Sequence, residues 1–529
     1  MLVAVAVIQL IAQAQVIQIP DGPLECINTG TLTVACLGIP YGQTGGRWKR
    51  PVRPTPWSDP RPAKATGAMC LQPLCYDAAG TLKGNCAEEC LFLNVWAPRK
   101  PPPADSPGYP VMVWIHGGGY EGGSGDGMNG THHVEASGGD FVWVTLDYRL
   151  NVFGFLGAEQ LRSRDSLNST GNYGLQDQRF AMEWVQRSIG AFGGDKNNVM
   201  IDGCSAGAGS TANHAVNPSS WPFFQKVAGE SGMFAMWNSL PLSKAQQTFD
   251  LLVKTLGCAD EVDPIKCLEG KSPYELTKFA NDGLFRPSTP DIMSKFSELQ
   301  WAPVIDGVDV LGHPWALARA GRHFQGPMML GTSRDEGATF CGTAANMTMA
   351  EFTSWSEVNY PGVPTSQIMQ LYGDIEPSAG HSAGWWGSAK ITGDILFHCG
   401  SRMGSRWLSG SHPVFLYSFA PAKDFPGGVI GHCTENPFIQ LSDGGRNPLS
   451  KAMGRYWYSF AKHGDPNVAR DPGSPVWPAY TNESDTNIVF DHPIRTETGL
   501  RKQQCDVCAK TLSCEAPVDP TPPPPPRGR

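Results

Sequence analysis

The chain has 529 residues, 41% of them hydrophobic, and a formal net charge of −8. Such a composition can bury a large core and is that of a globular protein. The acidic balance repels phosphate backbones, and no block of like charge forms a binding tail, so nucleic acid is excluded as the expected partner.

Residues 1–14 are mostly small and apolar and end in Ala12-Gln13-Ala14. They read as a signal peptide with an A-x-A cleavage site, although Gln9 interrupts the apolar run and a positive leading region is missing. No later stretch of about 20 apolar residues predicts a membrane span. Fifteen cysteines, with metal-type C-x-x-C spacing only at Cys505 and Cys508, point to an oxidising compartment and disulfides rather than a metal site. Sequons at Asn129, Asn168, Asn346 and Asn482 permit N-glycosylation. The expectation is a secreted glycoprotein that needs no metal or cofactor.

There is no internal repeat, and strand-like and helix-like segments alternate. Val111-Met112-Val113-Trp114-Ile115 is a continuous apolar run that reads as a buried parallel strand, and Phe141 to Leu146 reads the same way. Leu175 to Arg187 has helical periodicity, with Phe180, Trp184 and Val185 on one side. Val199-Met200-Ile201-Asp202 leads into Gly203-Cys204-Ser205-Ala206-Gly207, a G-x-S-x-G motif followed by small, helix-tolerant residues. This alternation predicts an α/β fold with a central, mostly parallel sheet flanked by helices. One catalytic domain is expected over residues 15–516, with large insertions. Residues 517–529, with the run Pro522 to Pro526, form a proline-rich tail or linker.

A strand, a sharp turn at Ser205 and then a helix is the context of a nucleophile elbow. A serine hydroxyl attacks well only when held clear of its backbone and within reach of a base. Gly229-Glu230-Ser231-Gly232-Met233 begins similarly, but Met233 replaces the second glycine, so Ser231 reads as a supporting serine. His116-Gly117-Gly118-Gly119 follows a buried strand. Such a loop supplies backbone N–H groups to a tetrahedral oxyanion, here those of Gly118 and Gly119 together with Ala206 after the nucleophile. Gly117 to Gly122 also fits G-x-G-x-x-G, with Asp140 or Asp147 as a ribose acid. That dinucleotide reading yields to the elbow found downstream in the expected order.

With these motifs in place, the chain resembles the type-B carboxylesterase and cholinesterase-like family of α/β-hydrolases. The resemblance rests on Leu37 to Gly42, Glu88 to Trp96, Trp114 to Tyr120, Tyr148-Arg149 with Phe153 to Leu156, Gly171 to Gln178, Phe192 to Asp195 and Pro303 to Gly307. It implies that Glu336 in Asp335-Glu336-Gly337 is the triad acid and that His432 is the base. Asp335 is the alternative acid when the residues are read alone, and His432 is one of twelve histidines. The resemblance also implies ion pairs Arg47 with Glu88 and Arg149 with Asp177, and disulfides Cys70–Cys90 and Cys258–Cys267. Cys75–Cys86 would nest inside the first, and Cys26–Cys36 would cross a hairpin. Cys399 has Cys505, Cys508 or Cys514 as its partner, and Cys341 is the candidate odd thiol.

The chain departs from its family beside the catalytic pair. Cys204 stands where the family carries an acid, and Cys433 where it carries glycine. If Ser205 and His432 meet, their neighbours fall within the roughly 4.4–6.8 Å that a disulfide needs between Cα atoms. The expected Cys204–Cys433 bond resembles the linkage of the tannase and feruloyl esterase family. The resemblance implies that in cholinesterases the loop corresponding to Cys70–Cys90 carries a tryptophan that binds the choline cation; here it holds no tryptophan and only Tyr76 as an aromatic, which argues against a choline ester. Trp237 is either a packing residue or part of the acyl side. The expected function is a secreted serine carboxylic-ester hydrolase, with lipid-type and aromatic, feruloyl-type esters both open. The competing class is a non-catalytic, neuroligin-like adhesion module.

Overall fold

A computed structural model describes residues 15–281, 301–360 and 362–511. The expected signal peptide, the proline-rich tail and Cys514 lie outside the described residues.

The main sheet has thirteen described strands. The twelve on its principal path are β1 (Gln15–Ile19), β2 (Gly22–Asn28), β3 (Thr33–Pro40), β4 (Phe92–Pro98), β5 (Tyr109–Ile115), β6 (Val142–Leu146), β7 (Gly194–Gly203), β8 (Lys226–Glu230), β9 (Met328–Ser333), β10 (Val414–Phe419), β11 (Thr486–Phe490) and β12 (Arg495–Thr498). Their order is β1-β2-β3-β4-β6-β5-β7-β8-β9-β10-β11-β12. From β6 to β11 every neighbouring pair is parallel. The first four strands and β12 join antiparallel. The sheet is therefore mixed: a parallel block with antiparallel margins. The margins follow from short connections, since β1 and β2 are joined by a tight turn, β1 carrying exposed residues around buried Ile17 and Ile19 and β2 alternating buried with half-buried ones.

The parallel block explains the continuous apolar runs. Every residue of β5 is buried. Val111, Val113 and Ile115 pack into one core cluster, while Met112 and Trp114 pack into another on the opposite face. Helix α1 (Tyr173–Ser188) delivers Trp184 and Val185 to the first face. Helix α2 (Ala206–Ala215) begins directly after the elbow. Helix α3 (Pro448–His463) covers the second face with Met453, Tyr456, Trp457 and Phe460. It starts where the Asn447 side chain accepts from Leu449 N–H and stops at Gly464, whose φ of +71° suits glycine. This is the α/β-hydrolase arrangement, and segments that follow β5, β7, β9 and β10 in the chain line one cavity.

Disulfides join Cys26 to Cys36 across the β2–β3 hairpin, Cys70 to Cys90, Cys75 to Cys86 inside that loop, and Cys258 to Cys267. Cys399 takes Cys505 as its partner. Cys508 is also disulfide-bonded, and Cys341 is a buried free thiol. Arg47 meets Glu88 at 2.7 Å, and the buried Arg149 meets Asp177 at 2.7 Å. Asn129, Asn168, Asn346 and Asn482 are all exposed. Among the described residues no helix is long and apolar enough to cross a membrane.

Candidate active site

Ser205 sits between β7 and α2 with φ +58° and ψ −122°, a conformation rarely tolerated outside glycine. The flanking glycines make it possible. A Cβ on Gly203 would lie 2.6 Å from the Ile115 carbonyl oxygen, and one on Gly207 would lie 2.1 Å from the same atom. Helix and strand thus approach too closely for any side chain. Ser205 N–H donates to the Glu230 carbonyl at 2.9 Å, fixing the turn to β8.

The glycine loop after β5 is equally constrained. Gly118 and Gly119 have φ of +105° and +63°, and a Cβ on Gly118 would strike the Gly122 carbonyl oxygen at 2.2 Å. His116 Nδ1 lies 2.8 Å from the Gly117 carbonyl oxygen, and its ring stacks on Tyr148. Burial pushes this imidazole down to about 4, so it braces the loop as a neutral ring. Gln72 clamps the loop from outside, donating to the Gly123 carbonyl and accepting from Gly123 N–H, both at 2.9 Å. Among the described residues, the N–H groups of Gly118, Gly119 and Ala206 have no acceptor.

His432 Nδ1 lies 2.6 Å from Glu336 Oε2. Its Nε2 is buried without a hydrogen-bond partner. Asp335 faces elsewhere: it pairs with Arg334 and Lys390 and accepts from Ile430 N–H. Of the two adjacent acids, only Glu336 touches the imidazole. Cys204 and Cys433 are joined by a disulfide with Cα atoms 6.3 Å apart, which ties the elbow to the histidine loop.

Ser231 supports the acid directly. Its Oγ lies 2.5 Å from Glu336 Oε1 and 2.7 Å from Glu435 Oε1. A hydroxyl carries one proton, so both contacts are satisfied when Glu435 is protonated and donates to Ser231, which donates to Glu336. Burial raises the Glu435 carboxyl, and the nearby Glu336 raises it further. Ser333 Oγ and Tyr417 OH donate to Glu435 at 2.6 and 3.1 Å, and Ser333 N–H donates to Glu336 at 2.7 Å. The supporting role read for Ser231 from its near-elbow motif agrees with these contacts, but nothing in the sequence pattern linked it to Ser333 or Glu435.

Two more acids lie beneath the elbow, unforeseen from sequence. Burial lifts Asp202 to about 7, and it lifts Glu230 well above the usual carboxyl range with Asp202 adding to the effect. Neither carboxyl oxygen of Glu230 has a hydrogen-bond partner. The folded protein therefore keeps a proton on this pair that the unfolded chain loses near pH 4. Stability contributed in acid is lost as pH rises toward the folded values, by about 1.4 kcal/mol per pH unit per retained proton. Glu230→Gln is expected to melt at the same temperature as the parent at pH 4 and higher than the parent at pH 8. Equal differences at both pH values, read by thermal unfolding, would count against the buried proton.

Ser205, His432 and the glycine loop line one cavity of about 500 Å³. Its other walls are aromatic. Phe397 lies 4.4 Å and Phe340 5.0 Å from the His432 ring, centroid to centroid. Trp237 packs edge-on against Phe397 at 5.9 Å and donates its Nε1–H to the Leu396 carbonyl at 3.0 Å. Phe397 sits in a π-helical turn, Asp394–His398, a local widening that sequence periodicity does not reveal. Trp237 is thus both packed and part of the wall. Among the described lining residues there is no Asp, Glu, Lys or Arg. Tyr76 packs against Tyr274 and is not among the residues that line the cavity.

Residues 13–508 match the carboxylesterase family. The chain belongs to the carboxylesterase family. A cholinesterase from Mus musculus is 29% identical over 528 residues, covering 90% of this chain and 82% of the relative. This carboxylesterase is accordingly a serine hydrolase of carboxylic esters, and its substrates are small-molecule esters. The mixed sheet with flanking helices is that of the family.

Proposed function

We propose that Ser205, His432 and Glu336 form the catalytic triad and that the cavity takes neutral esters carrying an aromatic group. The observation that carries the reading is the Glu336–His432 contact in a cavity shared with Ser205 on its left-handed elbow. His432 Nε2 takes the Ser205 proton as the hydroxyl attacks the ester carbonyl. Glu336 orients the ring through Nδ1 and stabilises its charged form. The N–H groups of Gly118, Gly119 and Ala206 receive the oxyanion, each worth about 3 kcal/mol in the transition state. The alcohol leaves with the proton from His432, and water repeats the sequence on the acyl-enzyme.

The wall of Trp237, Phe340 and Phe397 supports a flat aromatic group over a long alkyl chain, and the Cys70–Cys90 loop, with no tryptophan and with Tyr76 off the cavity, supports a neutral ester over a choline ester. Disulfides and exposed sequons support secretion.

A fluorophosphonate probe followed by peptide mass spectrometry is expected to label Ser205 alone. An unlabelled Ser205 in folded protein would instead favour the adhesion class. In an ester panel, methyl cinnamate-type esters should exceed dodecanoate esters in kcat/KM by about tenfold or more, the usual worth of one well-matched apolar contact. The reverse order would return the lipid reading.

A further inference from the structure

A second cavity, of about 400 Å³, lies between the helix Thr131–Ala136, the loop around Gly444 and the first half of α3. It shares no lining residue with the catalytic cavity. Its size falls in the range of small-molecule sites, about 300–1,000 Å³, and far exceeds a packing void in a close-packed protein. We propose that it is a second binding site, and that it takes a small aromatic carboxylate.

Two features define the ligand. The first is an aromatic slot. Phe141 and Tyr458 stand edge to face at 6.0 Å in the lining, and glycines 444, 445 and 454 add no side chains to it, with the Leu441 side chain beside them. Gly454 is held bare because a Cβ there would lie 2.7 Å from Leu441. The second feature is charge. Lys451 and Arg455, one turn apart on α3, both line the cavity, against a single acid, Asp471. Arg455 lies 3.7 Å from Asp471 with its guanidinium 6.0 Å from the Tyr458 ring centroid, and Lys451 is exposed with no acidic partner among the described residues. The lining therefore carries one net positive charge: two cations less one anion. His133, pushed down to about 3 by burial, lines the cavity as a neutral ring with its Nε2 unpaired. A benzoate-like molecule matches the slot with its ring and the two cations with its carboxylate. Ester hydrolysis of the proposed kind releases such an acid, and that link to the enzyme's own product rests on the proposed function, whereas the binding site does not.

The test is calorimetric titration of the full chain with sodium benzoate, with benzyl alcohol as the uncharged comparison. Ser205 is first blocked by a fluorophosphonate so that the catalytic cavity is filled. Benzoate is expected to bind the blocked protein at least tenfold more tightly than benzyl alcohol. Lys451→Ala should weaken benzoate at least tenfold and leave benzyl alcohol unchanged. Ala136→Trp, placed at an exposed position on the rim, should abolish both, and unchanged circular dichroism would show that the variant is folded. Benzoate binding that is absent from the blocked protein, or that survives both substitutions, would overturn the proposal. Neither result depends on measuring ester hydrolysis.

Discussion

Ser205→Ala is expected to lower kcat by about a million-fold while leaving the fold intact, because removing a triad nucleophile costs about as much as removing the whole triad. The informative comparison is between the two adjacent acids. Glu336→Gln should lower kcat by about 10⁴-fold, since an amide cannot hold the imidazole in the required tautomer or stabilise its charged form. Asp335→Asn should leave kcat within about tenfold of the parent and lower stability instead. Its carboxylate is buried between Arg334 and Lys390, and losing one partner of a buried charge cluster costs about 3–5 kcal/mol. Steady-state kinetics and thermal unfolding on the three variants separate these roles. If Asp335→Asn abolished turnover and Glu336→Gln did not, the assignment of the acid would be wrong.

The second large effect belongs to the Cys204–Cys433 disulfide. The double variant Cys204→Ala/Cys433→Ala is expected to lose up to about 5 kcal/mol of stability, the chain-entropy value for closing a long loop. It should also lose about 100-fold in kcat, because a catalytic base misplaced by about 1 Å costs that much. Both parts can be read on one sample, by denaturant unfolding and by turnover of a chromogenic ester. Unchanged kcat with reduced stability would leave the bond a staple only. Unchanged values in both would end the idea that it clamps the catalytic pair.

The legible parts of this protein were those with local, obligatory chemistry. The run Val111 to Ile115 is apolar throughout because β5 is buried on both faces, and that pattern survives in one dimension. The glycines around Ser205 and in the loop at Gly118 are forced by close backbone approach, so they appear as motifs. The antiparallel margin at β1 to β4 was less legible, because short strands signal pairing direction only through the turns between them. Glu435, Glu230 and Asp202 were illegible as a group. They come from three separate segments, and only the folded sheet shows that they share one buried region. Phe397 was hidden for a different reason: a π turn shifts the register that a helical reading assumes.

The disulfide between Cys204 and Cys433 spans 229 positions, and Ser205, Glu336 and His432 all lie inside that span. The proposed catalytic residues are therefore carried on a covalent macrocycle. A single protease cut in any surface loop of the ring leaves one molecule, with nucleophile, acid and base still attached to it. The glycine loop at Gly118 lies outside the ring and is joined to it through the peptide chain that enters at Cys204. A cut between Gly119 and Cys204 would instead part the proposed oxyanion loop from the three proposed catalytic residues on denaturation, because the disulfides before that cut, Cys26–Cys36, Cys70–Cys90 and Cys75–Cys86, close within their own segment.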